Sequence, residues 1–354
     1  MKRGARGSAD KTLRDVGARY VPERRTAVFD LRVDEEEGAW VVRGETTEPA
    51  AVEALLVELA ALARAPVIRD EAIRLPDPAL GEHTAALVRG GLAPVHAGPD
   101  IRATQTTQYV LGHRLDLLSR SGRWWRVRGE DGYVGWVHEG YLQVGSPEWA
   151  RQWEVGVEGE PAVSLGTDLL DEDERVFARV PWGARLIRDQ PRRFRLPDGR
   201  RGTVREEGQV IAADRLSDRF PLRGESIVRT ARLWWGTPYI WGGVTPLGAD
   251  CSGFVQAVFW MHGVALPRDS RMQARTGAPL DLAELEALRP GDLLFFSDRP
   301  DRRVTHVAIS LGGPDIIHCG LSNGGVEFNR VGGELELEQR LMDELVALRR
   351  VLRD

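Results

Sequence analysis

Alternating apolar and polar positions open the N-terminal part of the chain. The segments AVFDLRV (27–33) and GAWVVRG (38–44) alternate on either side of an acidic turn, which predicts a β-hairpin. Apolar residues then recur at helical spacing within residues 48–66, and VIRDEAIRL (67–75) is typical of a further strand. The pattern therefore indicates a small α/β unit, the N-terminal unit, over residues 1–85.

A short motif, D-G-x-x-G-x-V, occurs twice in the next part of the chain, at residues 131–137 and 198–204. Each copy follows a β-like stretch, and its glycines suit tight turns with positive φ. Short strands separated by turn signals predict two small all-β barrels, at residues 86–150 and 151–218. The form G-Y-x-G-W-V in the first copy resembles bacterial SH3-like domains. The alternative for both barrels is a spacer role without a ligand.

The last predicted domain covers residues 219–354. Its pattern indicates a helix at 225–236, a Gly/Pro-rich loop, and a helix at 251–262 that ends at a glycine. The apolar run RPGDLLFFS (289–297) predicts a buried strand, and THVAISLGGPDIIHCG (305–320) predicts two strands joined by a Gly-Gly-Pro turn.

Composition narrows the classes of function. The chain has 354 residues, of which 42% are hydrophobic and 29% charged, as expected for a soluble protein of several domains. Its net charge of -5 gives no basic surface for nucleic acid, and no apolar run is long enough to span a bilayer. We therefore expect neither a nucleic-acid partner nor a membrane partner, and we expect a monomer.

The two cysteines, Cys251 and Cys319, are too few for a disulfide framework. The N-terminus begins with basic residues that no apolar stretch follows, which does not match a secretory signal. Both features favour a reducing compartment, and we expect the protein in the cytoplasm.

Cys251 is the candidate nucleophile, because it lies where the Gly/Pro-rich loop passes into a helix. A helix N-terminus offers unpaired N–H groups and the positive end of the helix dipole, so we expect a lowered thiol pKa. The same N–H groups can hold the oxyanion of a tetrahedral intermediate. The alternative for an isolated cysteine is a small buried apolar side chain.

Two histidines accompany the cysteine. His306 and His318 are symmetric about Gly312, so a tight turn there would make them cross-strand neighbours on one face, as a base and the group that orients it. A zinc site is disfavoured, because Cys319 should point to the face opposite His318 and no ligand spacing typical of zinc occurs. We therefore expect no metal and no cofactor.

Three segments together carry a family resemblance: YIWGGVTPLGADCSGFVQAVFWMHGVALPRDS (239–270), RPGDLLFF (289–296) and THVAISLGGPDIIHCG (305–320). They resemble the NlpC-like cell-wall cysteine peptidases, and the two SH3-like repeats narrow the resemblance to the γ-D-glutamyl-L-diamino acid endopeptidases. The implied fold is α+β: a papain-like cysteine peptidase domain preceded by two small SH3-like β-barrels and a short N-terminal α/β unit.

The resemblance also implies an activity, hydrolysis of murein stem peptides (L-Ala-γ-D-Glu-diamino acid) after D-glutamate. It implies Cys251 as nucleophile, His306 as general base and His318 as the polar third member. It further implies substrate-binding roles for Tyr133, Tyr239, Trp241, Asp250, Ser252, Asp269 and Ser270. With the expected location, the substrates are imported fragments whose L-alanine amine is free, and Asp269 is the candidate partner of that amine. The alternative for Asp269 is a helix cap.

One position departs from the family pattern. In the family, an acidic side chain of the first barrel can bind the substrate amine. In this chain the corresponding segment, VHAGPD, has Gly98 where we expect that residue. Two other classes of function stay open: an amidase or acyltransferase on the same scaffold, and a cell-wall binding module without catalysis. The presence of both Cys251 and His306 disfavours the module, and the polar residues around Cys251 disfavour the acyltransferase.

Overall fold

The computed structural model describes residues 2–62 and 66–352. In the N-terminal unit, two helices pack on a three-stranded sheet in which the first two strands form a hairpin and the third runs parallel to the second. The elements are α1 (Lys2–Tyr20), β1 (Phe29–Glu36), β2 (Ala39–Thr46), α2 (Pro49–Ala60) and β3 (Val67–Arg74). The predicted hairpin (β1 and β2), the predicted helix (α2) and the predicted further strand (β3) are confirmed.

The sequence pattern did not predict α1. Its segment is rich in charge and glycine, which lowers helix propensity, and among its residues 6–20, whose burial is described, Ala9, Leu13 and Val16 are those that pack into the core of the unit. These three residues form a narrow apolar stripe at helical spacing. The helix therefore depends on its packing against α2 and β1.

The first barrel is a sheet in the order β10-β4-β7-β8-β9-β5-β6, followed by helix α3. Its core contains Leu115, Val127 and Val137, which are fully buried. The elements are β4 (Ala85–Val88), β5 (Leu92–His96), β6 (Gln105–Val110), β7 (Arg114–Ser121), β8 (Trp124–Gly129), β9 (Val134–His138), β10 (Leu142–Gly145) and α3 (Pro147–Val155).

The second all-β unit is a sheet in the order β12-β13-β14-β11-β15, in which β12 also pairs with β11 and closes the sheet on itself. The elements are β11 (Glu160–Leu170), β12 (Val176–Gln190), β13 (Arg193–Arg195), β14 (Arg201–Thr203), β15 (Val210–Ala212) and the short helix α4 (Leu216–Arg219). Trp182 of β12 packs edge-on against Trp234 and Phe220, with ring centroids 6.1 and 6.0 Å away. This unit therefore shares a core with the last domain.

The two copies of the repeat form turns of the same kind. The first glycine of each copy has a positive φ, 79° at Gly132 and 84° at Gly199, as predicted. The second glycine does not, and it is needed for close packing instead. A Cβ would lie 2.4 Å from Val95 at Gly135 and 2.5 Å from the Phe177 ring at Gly202.

The last domain is an antiparallel sheet in the order β18-β23-β19-β20-β21-β22 with helices on both faces. Apolar side chains alternate along its strands: Val307 and Ile309 pack with helix α6, whereas Ala308 packs with α8 on the other face. The elements are α5 (Gly224–Arg232), β16 (Val244–Thr245), β17 (Gly248–Ala249), α6 (Cys251–Met261), α7 (Ser270–Gln273), β18 (Ala278–Leu280), β19 (Leu293–Phe296), β20 (His306–Gly312), β21 (Asp315–Gly320), β22 (Gly325–Arg330), α8 (Glu336–Glu344) and β23 (Leu345–Arg350).

The register of the β20–β21 hairpin differs from the prediction. Ile309 pairs with Ile317, and an irregularity lies between Ser310 and Gly312. Extended along the strands, this register places His306 and His318 diagonally across the pair instead of directly opposite each other. Diagonal neighbours still share a face of the sheet, so the two rings can meet.

Among the described residues, no helix has the length and apolar character needed to cross a membrane.

Candidate active site

Helix α6 begins at Cys251 because the preceding residue caps it. The Asp250 carboxylate accepts a hydrogen bond from the Gly253 N–H at 2.8 Å, and a second one, also at 2.8 Å, from the Gly242 N–H in the loop. Gly253 is required for packing, since a Cβ there would lie 2.1 Å from the Gly243 carbonyl oxygen. The segment G-A-D-C-S-G thus fixes the position of the cysteine.

The Cys251 thiol is protonated at neutral pH, which corrects the expected lowering of its pKa. Burial raises the pKa to about 12, and the Asp250 charge adds to the rise. The Arg268 charge and the N–H groups of Val307 and Ser252 oppose it without reversing it. The side chain is 8% exposed, so the helix N-terminus does not offset the loss of hydration.

His306 lies next to the thiol along the sheet, because the Val307 N–H that contacts the sulfur directly follows it. The His306 Nε2 is 2.7 Å from the His318 Nδ1, and the two rings meet edge-on. Burial and the neighbouring His318 hold the pKa of His306 well below its ordinary value. His306 is therefore an uncharged imidazole at neutral pH.

A chain of hydrogen bonds assigns the tautomers of both rings. The His318 Nε2 is 2.9 Å from the Asn329 Oδ1, which can only accept, so His318 donates from Nε2. Its Nδ1 must then accept from the His306 Nε2–H, which leaves the His306 Nδ1 free to take a proton. The Asn323 Nδ2 donates to the Asn329 oxygen at 2.9 Å and also lies 3.1 Å from the His318 Nε2, so the assignment follows the shorter contact at that nitrogen, the one with Asn329.

Asn329 and Asn323 were not predicted from the sequence. Asn329 lies on β22, where His318 pairs with Glu327, so Asn329 is two positions from the residue opposite the histidine. Without the register of β21 and β22, nothing in the segment GVEFNR distinguishes this asparagine from any other residue of the strand.

Arg268 was not predicted from the sequence, although it binds two residues that were, Asp250 and Ser252. Its guanidinium, 2% exposed, donates to both Asp250 oxygens at 3.0 and 2.7 Å, to the Ser252 Oγ at 2.9 Å and to the Thr107 Oγ1 at 2.7 Å. The Asp250 and Ser252 side chains are thus already bonded within the protein. In the sequence, this residue could have been found from its position beside Asp269 in the segment LPRDS.

A cavity of about 690 Å³ opens over the thiol. The predicted residues that line it are Tyr133, Trp241, Asp250, Cys251, Ser252, Asp269 and Ser270. Tyr239, His306 and His318 are not among the lining residues. Tyr239 is half-buried close to the thiol. Burial is the first cause that raises its pKa, and the neighbouring Cys251 is the second.

Tyr133 of the first barrel reaches Asp269 in this cavity, and its hydroxyl donates to the Asp269 Oδ1 at 3.3 Å. The Asp269 side chain makes no capping hydrogen bond to α7, so the alternative of a helix cap is wrong. Burial raises the Asp269 pKa against the opposing charges of Arg268 and Arg25. Asp269 is thus a carboxylate available to a ligand.

The position of Gly98 is not filled by another acidic side chain. Among the described residues that line the cavity, the carboxylates are Asp250, Asp269 and Asp298, and Asp250 is paired with Arg268. The described residues also contain no group of three or more His, Cys, Asp or Glu placed to hold a metal ion. The Cys319 thiol donates to the Ala249 carbonyl at 3.1 Å and is fully buried.

Comparisons with known proteins agree with this geometry. The NlpC/P60 family pattern matches residues 236–343, and a bacterial SH3 domain matches residues 90–143. A gamma-D-glutamyl-L-lysine dipeptidyl-peptidase of Bacillus cereus is 30% identical over 239 residues, covering 62% of this chain and 69% of that protein. A Bacillus subtilis protein of the same name is 29% identical over 259 residues, covering 69% and 80%.

The fold also matches solved structures. The crystal structure of an NlpC/P60 family protein from Bacillus cereus superposes with a TM-score of 0.64 at 23% identity, covering 76% of this chain and 100% of that one. A cysteine at a helix start beside a histidine pair on an antiparallel sheet is the arrangement of a papain-like cysteine peptidase. The chain belongs to the NlpC/P60 family of these enzymes and carries a bacterial SH3 domain before the peptidase domain.

Proposed function

We propose that the protein hydrolyses the bond between γ-D-glutamate and the diamino acid in murein stem peptides whose N-terminal L-alanine is free. The observation that carries the proposal is the hydrogen-bonded series His306–His318–Asn329 beside Cys251, under a cavity where Tyr133 meets Asp269. The names of the Bacillus relatives support the class of substrate.

The reaction follows from the protonation states at rest. The Cys251 proton passes to the His306 Nδ1 as the sulfur attacks the γ-carbonyl carbon of D-glutamate, so charge forms only when substrate is present. The N–H groups at the start of α6 that Asp250 does not bind can stabilise the oxyanion. Protonated His306 then donates to the leaving amine of the diamino acid. Water, deprotonated by the same imidazole, releases the acyl group from the sulfur.

The same proposal covers the second all-β unit and the setting of the enzyme. The unit has the turn motif of the first barrel and a sheet that closes on itself, which supports a second SH3-like barrel.

We further propose a monomer that acts in the cytoplasm on imported fragments, because release from the sugar exposes the amine that Asp269 would bind. Size-exclusion chromatography tests the monomer, and cell fractionation that finds the native protein outside the cytoplasmic membrane would contradict the location.

The direct test uses the tripeptide L-Ala-γ-D-Glu-L-Lys and its N-acetylated form, with products identified by mass spectrometry. The enzyme should release L-Ala-D-Glu from the free tripeptide, and Cys251→Ala should release none. Asp269→Asn should lower kcat/KM for the free tripeptide by about two to three decades, the cost of an unpaired desolvated charge, with little change in Tm.

Acetylation should cause a comparable loss for the wild-type enzyme, because it removes the charge that Asp269 pairs with. Equal cleavage of the free and acetylated peptides would contradict the requirement for a free amine. An amidase or acyltransferase would instead leave the γ-glutamyl bond of both peptides intact.

A further inference from the structure

The N-terminal unit forms part of the wall of the active-site cavity, although neither matched family pattern includes it. Its segment 21–26, between α1 and β1, lies against the first barrel, where the Val134 N–H donates to the Arg25 carbonyl at 2.7 Å. The same segment contacts the peptidase domain, because Arg271 pairs with Glu23 at 3.1 Å. Arg25 and Arg271 both line the cavity over Cys251.

The Arg25 side chain lies beside the contact between Tyr133 and Asp269. Its guanidinium carbon is 5.9 Å from the centroid of the Tyr133 ring. Burial raises the pKa of both Tyr133 and Asp269, and the Arg25 charge is among the groups that oppose these rises. Within residues 2–62 and 66–352, no carboxylate lies within ion-pair distance of Arg25, so its charge is available to a ligand.

The other cations of the cavity either have an ion-pair partner or lie in a different segment of its wall. Arg268 is bonded to Asp250, and Arg271 is paired with Glu23. Arg299 and Arg303 lie in the loop just before His306, and neither is among the main charges that act on Asp269. Among the cavity residues that the structure describes, Arg25 is therefore the cation near Asp269 that has no ion-pair partner.

The substrate of the proposed function has a matching pair of charges. Because its peptide bond uses the γ-carboxyl, D-glutamate keeps a free α-carboxylate one peptide unit away from the L-alanine ammonium. Asp269 and Arg25 present the opposite charges side by side. Resting on that function, we propose that Arg25 binds the α-carboxylate of D-glutamate and selects it over the α-amide, D-isoglutamine.

The test compares two peptides that differ only in this group, L-Ala-γ-D-Glu-L-Lys and L-Ala-γ-D-isoglutaminyl-L-Lys, cleaved by the full-length protein. A hydrogen bond to a charged group predicts that the wild type prefers the carboxylate by about 10- to 100-fold in kcat/KM. Arg25→Gln should remove most of this preference by slowing the carboxylate peptide, with little effect on the amide. Arg25→Lys should keep part of it.

Arg24→Gln is the matched control, because Arg24 is exposed in the same turn and does not line the cavity. It should keep the full preference, and added salt should reduce the preference of the wild type. Equal cleavage of both peptides by the wild type, or an unchanged preference in Arg25→Gln, would overturn the role of Arg25 and leave the proposed function standing. Cleavage of neither peptide, with lysine or diaminopimelate at the third position, would instead overturn the function itself.

Discussion

At the scale of single residues, the buried surroundings of Cys251 control how readily its thiol ionises. The motif G-A-D-C-S-G-F places Cys251 at a helix start, and the structure agrees. The thiol pKa depends on burial and on the Asp250 carboxylate, which are properties of the packed domain that helix position alone does not reveal. The resting enzyme consequently pairs a neutral thiol with a neutral imidazole.

This state predicts how Cys251 reacts with alkylating agents. Only the thiolate reacts, and a pKa of about 12 means that its fraction keeps rising with pH. The rate of inactivation by iodoacetamide should therefore increase across about pH 6 to 9 without a plateau. Mass spectrometry of the labelled protein, with Cys251→Ala as control, identifies the site. A plateau near neutral pH would show that an imidazolium–thiolate pair exists before substrate binds.

The two histidines should differ in what their removal costs. His306→Ala removes the proton acceptor and should lower kcat by about 10²- to 10⁴-fold. His318→Gln should cost less, because in the proposed mechanism His318 only fixes the tautomer and orientation of His306 through the 2.7 Å contact. Asn329→Leu, which leaves the His318 Nε2–H without its acceptor, should resemble His318→Gln in steady-state kinetics. The reverse order of His306→Ala and His318→Gln would require the two roles to be exchanged.

At the scale of elements, the sequence predicted which segments are strands but not how they pair. Alternation and turn signals were sufficient for β19, β20 and β21, since they depend on local patterns. The hairpin is not centred on Gly312: Ile309 pairs with Ile317, two positions away from a register symmetric about Gly312, and the glycines alone could not show this. The same limit hid Asn329, whose place beside His318 depends on register alone.

The buried pair of Arg268 and Asp250 connects the start of α6 with β6 of the first barrel, because Arg268 also donates to Thr107. Arg268→Met leaves the Asp250 carboxylate buried without its counter-charge, which should cost about 3–5 kcal/mol of unfolding free energy. Chemical denaturation measures this loss. The double variant Asp250→Asn with Arg268→Met should recover part of it, since it removes the stranded charge. An unchanged denaturation midpoint in Arg268→Met would mean that the Arg268–Asp250 pair does not stabilise the start of α6.

At the scale of the whole molecule, the first barrel acts as one wall of the active site. Asp131, the first residue of its D-G-x-x-G-x-V motif, accepts from the Tyr109 hydroxyl at 2.8 Å and from the Gln256 amide of helix α6 at 3.1 Å. Tyr133, two residues later, donates to Asp269. The motif therefore connects the first barrel with helix α6 and with Asp269 in the cavity, contacts that the repeat alone did not reveal.

The second copy of the motif provides the comparison that tests this wall. Its Asp198 pairs only with Arg200 on the surface, among the residues described, whereas Asp131 bridges two domains. Asp131→Ala should raise KM more than it lowers kcat, because Tyr133 and Asp269 lose their alignment while the Cys251–His306 pair is untouched. Asp198→Ala removes the same side chain from the same turn and should leave both constants unchanged. If the two variants behave alike in steady-state kinetics, the first barrel is a spacer and the alignment of Tyr133 comes from the peptidase domain alone.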